Sequence, residues 1–452
     1  MKQTTFWICI AFVLVLCPHI LLAAPGEDAR YHKKTLMRTA DPILIEGSDL
    51  SGMTGKKIDA FRLFAFRQGV PAAIPFQIDQ RDSKNDWVWE TALQGGKTED
   101  DQDPGGEKIL DDNDLLVFLS RDLGDRSDDV RQSLLPVASA TQTGHAQNIV
   151  EIQVQDPAAH AEGWAYLTYD EDSPPRLSDI RYMRFSPDSR KVTSPVYELS
   201  YSKEHVAVLQ DLSVDKHEIL DRLKVRGKAD IKLGPVNFSI RFNEEDVGGY
   251  MEGYIDGPVR TVIRSVNYVH LPLGLRTPRI NCDHFYYPEY AEVPLLLSIQ
   301  FLVHKASLLL TADYQGYPFH EAVFEGDGKP TVLEHGATSV EPGPTLREGR
   351  WIALAGDTRT VINLLKLPDK VASHATASLY LLHDPKAQNK PETYPGSAPE
   401  AGFQITTKPG LPKGDYILYL IFYVSPGPYL PGLEEKAIHL LDDRLTWRVL
   451  EK

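Results

Sequence analysis

The residues with the most chemical potential in this chain crowd into one stretch, DQDPGGEKILDDNDLLVFLSRD, from Asp101 to Asp122. Between Lys97 and Asp129 stand 12 acids: Glu99, Asp100, Asp101, Asp103, Glu107, Asp111, Asp112, Asp114, Asp122, Asp125, Asp128 and Asp129. Lys97, Lys108, Arg121 and Arg126 oppose them. Calcium takes roughly six to eight oxygen ligands on a flexible turn, which carboxylates at this density could supply. Placing Leu110 at position 8 of a helix-associated calcium loop puts Asp103 at 1, Glu107 at 5, the Ile109 carbonyl at 7, Asp111 at 9 and Asp114 at 12. Position 3 is then Gly105, which has no ligand, and position 6 is Lys108, where the sharp turn favours glycine. The expectation is a weak structural calcium site held by Asp103, Glu107, Asp111 and Asp114. The alternative is a solvated acidic turn.

A second gathering is RTPRINCDHFYYPEYAE, Arg276 to Glu292. Aromatic rings beside hydrogen-bonding groups suit a sugar, because a ring stacks on the apolar face of a pyranose. A histidine next to a carboxylate can also move protons. Strand alternation places Arg279, Asn281 and Asp283 on one face. Arg260 and Arg264 on the neighbouring strand are anion-binding candidates. The expected ligand-binding set is therefore Arg260, Arg264, Arg279, Asp283, His284 and Tyr286, and no catalytic residue is assigned. The competing reading is a strand end with surface charges and packed tyrosines.

HEILD, His217 to Asp221, lacks the second histidine of a zinc-protease helix. The chain contains no G-x-S-x-G, H-E-x-x-H, P-loop, G-x-G-x-x-G or C-x-x-C motif. A glycosidase or lyase stays open, since its paired carboxylates need not be neighbours in sequence.

The elements that must position these groups come from a chain of 452 residues, long enough for two or three domains or one large β architecture. The first residues, MKQTTFWICIAFVLVLCPHILLAAP, read as a secretory signal peptide cleaved after Ala23. Its apolar core is shorter than a membrane span requires, so no transmembrane segment is expected after cleavage. Cys9 and Cys17 leave with it, and Cys282 alone cannot form an internal disulfide. The expected location is exported, periplasmic or extracellular. The formal charge is −15, and Lys2 is the only charged residue of 1–23, so the remainder carries −16. That balance argues against nucleic acid and anionic membranes as partners.

The dominant rhythm is period two. NIVEIQVQD sets Val150, Ile152 and Val154 against Glu151, Gln153 and Gln155; PVNFSIRF, VYELSY and RLTWRVL alternate likewise. DYILYLIFYV, Asp415 to Val424, is apolar on both faces and reads as a central strand. The 32 Pro and 32 Gly punctuate these runs at the short spacing of an all-β antiparallel sandwich or supersandwich with few short helices. The best helix candidate is SVDKHEILDRLKV, with Asp215 and Glu218 as a capping box. The divisions are a signal at 1–23, an N-terminal β region at 37–160, a central one at 161–335 and a C-terminal one at 350–452.

Three resemblances bear on these residues. The 103–114 spacing resembles EF-hand loops, and more closely those of dockerins, whose twelfth residue is Asp. AAIPFQIDQRDSKNDWVW, Ala72 to Trp89, followed by DNDLLVFLSRDLGD, resembles an arrangement that recurs in uncharacterised exported bacterial proteins of β-sandwich type. YIDGPVRTVIRSVNYV, Tyr254 to Val269, is similar to a Gly-Pro-Val-Arg strand of β-supersandwich proteins related to galactose mutarotases and polysaccharide lyases. That last resemblance implies a carbohydrate-handling architecture, without a mutarotase His and Glu pair that maps here. The function expected is a non-catalytic exported protein binding a glycan or another envelope component. The alternatives are a lyase-like or mutarotase-like enzyme and a structural or assembly factor.

Overall fold

The computed structural model describes residues 31–50, 52–92, 108–134, 148–202, 209–214, 216–233, 236–271, 274–299, 303–314, 319–327, 330–333, 344–383, 399–408 and 412–451. The chain is all-β, and its sheets are antiparallel. Among the described residues no helix is long and apolar enough to cross a membrane.

Two ten-stranded sheets pack face to face. The first is centred on His217–Leu233, Val303–Tyr314 and Glu400–Thr407. The second is centred on Gly414–Pro426, flanked by Tyr290–Ile299 and Arg359–Lys366. Gly414–Pro426 is the central strand its composition predicts. Leu418, Leu420, Phe422 and Val424 enter the core between the sheets, while Ile421 and Tyr423 enter a separate core on the outer face.

The outer face of the second sheet is covered by the N-terminal part of the chain. A three-stranded sheet, Pro42–Glu46, Leu115–Leu119 and Gln77–Asp79, lies on it. A five-stranded sheet lies on that in turn. This layering explains the abrupt apolar run after the acidic stretch. In Leu115–Leu119, Leu115, Val117 and Leu119 pack toward the ten-stranded sheet, and Leu116 and Phe118 pack toward the five-stranded one. A strand in a middle layer has no solvent face, so it needs apolar residues at every position. Val117, Leu116 and Phe118 are fully buried, each contributing roughly 1.5–3 kcal/mol relative to exposure.

The C-terminus returns to this layer. Thr446–Glu451 pairs with Asn148–Asp156, forming one edge of the five-stranded sheet. The N-terminal, central and C-terminal stretches thus share sheets.

The helix expected at 213–225 is absent. His217–Leu233 is a strand, and Val214 pairs with His217 across a two-residue connection in which Lys216 has φ 67°. The pattern that decides this runs past the expected helix. Leu223, Val225 and Ala229 face the core, while Arg222, Lys224, Arg226 and Lys228 alternate with them. Asp215 lies outside the described residues.

Candidate functional site

Arg260 follows the turn between Val247–Asp256 and Thr261–Val269, the hairpin formed by the Gly-Pro-Val-Arg sequence. It points outward from the second sheet into the covering layer and is 2 % exposed. Its Nε donates to Asp79 Oδ2 at 2.8 Å, its Nη2 lies 2.7 Å from the same oxygen, and its Nη1 donates to the Tyr287 hydroxyl at 3.0 Å. Asp79 is held in turn by Gln77, whose Nε2 donates to Asp79 Oδ1 at 2.6 Å. Gln77 Oε1 accepts the backbone N–H groups of Val259 and Arg260 at 3.0 and 2.9 Å. The approach depends on Gly257, since a Cβ there would lie 2.0 Å from Gln77 Oε1. Gln-Ile-Asp in the N-terminal layer and Gly-Pro-Val-Arg in the second sheet therefore clasp one another.

Arg264 lies on the same outer face. Its Nε and Nη2 donate to the two oxygens of Asp283 at 2.6 and 2.9 Å, and its Nη1 donates to Asp86. The second Asp283 oxygen also accepts from Trp87 Nε1 at 2.8 Å, and the guanidinium lies 5.1 Å from the Trp89 ring centroid. A bidentate Arg–carboxylate pair is geometrically saturated. Arg260 and Arg264 accordingly bind the N-terminal layer to the sheet, and their forks are taken up by the chain's own carboxylates.

His284 and Tyr286 point the other way, into the core between the ten-stranded sheets. His284 Nε2 lies 2.8 Å from Ser265 Oγ, and Asn267 Nδ2 donates to the same hydroxyl at 2.8 Å. The Tyr201 ring meets His284 edge-on at 5.4 Å. Burial pushes the imidazole down to about 4, partly offset by the Asp283 charge, so it is neutral at pH 7. The Ser–His contact has the distance of an activated nucleophile, but both side chains are about 1 % exposed, and the group is a packed polar island.

Arg279 stands apart from both sets. Beyond the edge of the N-terminal layer, half-buried Tyr250 and Tyr268 lie on the outer face of the second sheet, and among the described residues no strand of that layer covers them. The Arg279 guanidinium lies 5.7 Å from the Tyr250 centroid, and Arg276 lies 5.5 Å from that of Tyr268. His270 meets Tyr268 edge-on at 5.1 Å. Gly248 is the cross-strand partner of Tyr268, and a Cβ there would lie 2.6 Å from its ring, so only glycine lets the tyrosine lie down on the strand. Asn281 is exposed on this face, opposite Val266. Sequence reasoning missed Tyr250 and Tyr268, although Gly248, two residues before Tyr250, was the available signal: glycine opposite an aromatic marks a ring laid across a sheet.

No protein-family model matches the chain, and no curated protein matches it. Among solved structures it is similar to an alpha-mannosidase from Enterococcus faecalis V583, with a TM-score of 0.46 and 9% identity over 93% of this chain and 45% of that one. It is also similar to a protein in glycosyl hydrolase family 38 from Enterococcus faecalis, with a TM-score of 0.44 and 9% identity over 93% and 47%. The chain spans less than half the length of either.

Of the four candidate calcium ligands, Asp103 and Glu107 lie outside the described residues, and Asp111 is exposed. Asp114 is 1 % exposed. Its Oδ1 accepts from the Arg81 N–H and its Oδ2 from the Asp111 N–H, both at 2.8 Å. Burial raises its pKa to about 6, opposed by those two N–H groups. Asp114 therefore fastens the end of the acidic stretch to the strand-end residue Arg81. Among the described residues no group of three or more His, Cys, Asp or Glu side chains is arranged to hold a metal ion.

Proposed function

We propose that this chain is an exported, non-catalytic β-sandwich protein that binds a glycan on the outer face of its second sheet, beside the described N-terminal layer. The observation that carries the reading is the pair of tyrosines, Tyr250 and Tyr268, laid on the sheet and flanked by Arg276, Arg279 and Asn281. Rings supply stacking area at low entropic cost, and planar polar side chains at their edges fix orientation by hydrogen bonds. Export rests on the N-terminal signal-like sequence, and the compartment is periplasmic or extracellular.

Tyr250→Ala and Tyr268→Ala should each weaken glycan binding about tenfold or more, the loss of roughly 1.4 kcal/mol per stacked ring. A glycan array on the mature protein followed by titration calorimetry checks this. Full-strength binding by both variants removes the site.

A weak calcium site in the 103–114 loop belongs to the same reading. Millimolar calcium should raise the melting temperature and a chelator should reverse the rise, because an ion that binds only the native state stabilises it by mass action. An unchanged midpoint in a thermal melt defeats the metal site.

The enzymatic alternative has one observation of its own. Asp313 and Glu400 are direct cross-strand partners on the face of the first ten-stranded sheet turned away from the core. They are 2 % and 4 % exposed, Lys224 pairs with Asp313, and Thr311 donates to Glu400 at 2.5 Å. Paired carboxylates are the equipment of acid–base cleavage of a glycosidic bond, and at this burial they would serve it only if that face of the sheet opened to substrate. A lyase and hydrolase screen of the wild type against Glu400→Gln separates the two readings, and activity lost in the variant would favour the enzyme.

A further inference from the structure

The arginines of the second sheet's outer face divide by what they touch. Arg260 is spent on Asp79 and Arg264 on Asp283 and Asp86. Arg276 and Arg279 are exposed, and among the described residues neither has a carboxylate within ion-pair distance. The chain holds 63 acids against 48 Lys and Arg, so two neighbouring arginines without an acid partner run against its composition. Each is instead parked beside a tyrosine, Arg276 by Tyr268 and Arg279 by Tyr250. Tyr268 faces Gly248, and Tyr250 is two residues on, so the rings are diagonal neighbours, about 7–8 Å apart at the backbone. The result is two copies of one unit, an aromatic plate with a guanidinium at its side.

Resting on the glycan reading of this face, we propose that its ligand is an acidic oligosaccharide, with each Tyr–Arg unit taking one carboxylated pyranose. The tyrosine carries the apolar face of the ring. The guanidinium turns from the ring to the sugar carboxylate, which its planar fork matches with two parallel hydrogen bonds. Lysine would supply the charge without the fork, which explains the use of arginine at both positions. The surplus of acids elsewhere repels long polyanions at a distance. The site therefore selects short chains or chain ends carrying few carboxylates, and binds them by contact rather than by steering.

The test is calorimetry of the mature protein with a panel of uronic-acid tetrasaccharides and neutral hexose tetrasaccharides. At least one uronate should bind, more weakly as salt is raised. Arg276→Gln and Arg279→Gln should each weaken it about tenfold at an unchanged melting temperature, with Arg276→Lys intermediate. If Arg276→Gln also lowers the melting temperature, the Arg276→Lys variant decides: full-strength binding by it overturns the bidentate contact. Neutral sugars that bind as well as uronates, and equally to the Gln variants, overturn the acidic ligand and leave the glycan site standing. Binding of no saccharide at all overturns both.

Discussion

Arg260→Ala will lower the unfolding free energy by about 3–5 kcal/mol, because it leaves a carboxylate buried without its counter-charge. Asp79 is 1 % exposed, and among the described residues its other hydrogen-bond partner is the amide of Gln77. The cost extends beyond one ion pair. Gln77 and Asp79 belong to the three-stranded sheet, and the backbone amides of Val259 and Arg260 belong to the second ten-stranded sheet. Loosening the clasp therefore loosens the seam between two layers, where Trp87 and Trp89 are also buried. Urea unfolding measures the loss, and tryptophan fluorescence of the folded variant reports the seam. The double variant Arg260→Met with Asp79→Leu should recover most of the stability, since replacing a whole buried pair with apolar groups of similar volume is often neutral or stabilising. If Arg260→Ala costs less than about 1 kcal/mol, the clasp is an ornament of the packing.

The clasp also marks where sequence stops being legible. Period-two alternation gave the strands, and Gly414–Pro426 and Leu115–Leu119 announced buried positions by being apolar at every residue. Strand parity alone divides the expected ligand-binding set, which was nevertheless read as one site. Arg279, Asn281 and Asp283 share one parity, and His284 and Tyr286 have the other. A strand cannot present both sets to one ligand. The partners of the arginines were unreadable, because Asp79 and Asp86 lie about 180 residues from Arg260 and Arg264 along the chain, and no local pattern encodes that pairing. The Gln-Ile-Asp and Gly-Pro-Val-Arg sequences were each noticeable alone, but only the layering shows that they are the two halves of one contact. The helix expected at 213–225 failed for a different reason. Asp215 and Glu218 have the spacing of a capping box, yet the following residues alternate with period two into Lys228, and pairing on both flanks outweighs a local start signal.

His284 supplies the clearest pH dependence, because its burial between the sheets leaves no route to solvate a charge. Its pKa falls from an unfolded value near 6.5 to about 4. Between those values the unfolded chain takes up a proton that the folded chain refuses. Its contribution is therefore fully present above pH 6.5 and is lost as pH falls through about 4. A difference of this size corresponds to roughly 3 kcal/mol. Asp114, raised to about 6 by burial, acts in the opposite direction: its contribution is present below the ordinary aspartate value and is lost as pH rises through about 6. A single melting curve against pH therefore mixes the two. The isolating measurement is the difference in unfolding free energy between wild type and His284→Gln at pH 7 and at pH 4. Glutamine keeps a hydrogen-bonding end for Ser265 but does not titrate, so the wild-type advantage at pH 7 should shrink by about 3 kcal/mol at pH 4. An advantage of the same size at both pH values would mean that the imidazole gains a proton in the folded protein as readily as in the unfolded one. The polar island of Tyr201, Ser265, Asn267 and His284 would then have to be reached by solvent, and a nucleophilic role for Ser265 beside a titrating histidine would reopen.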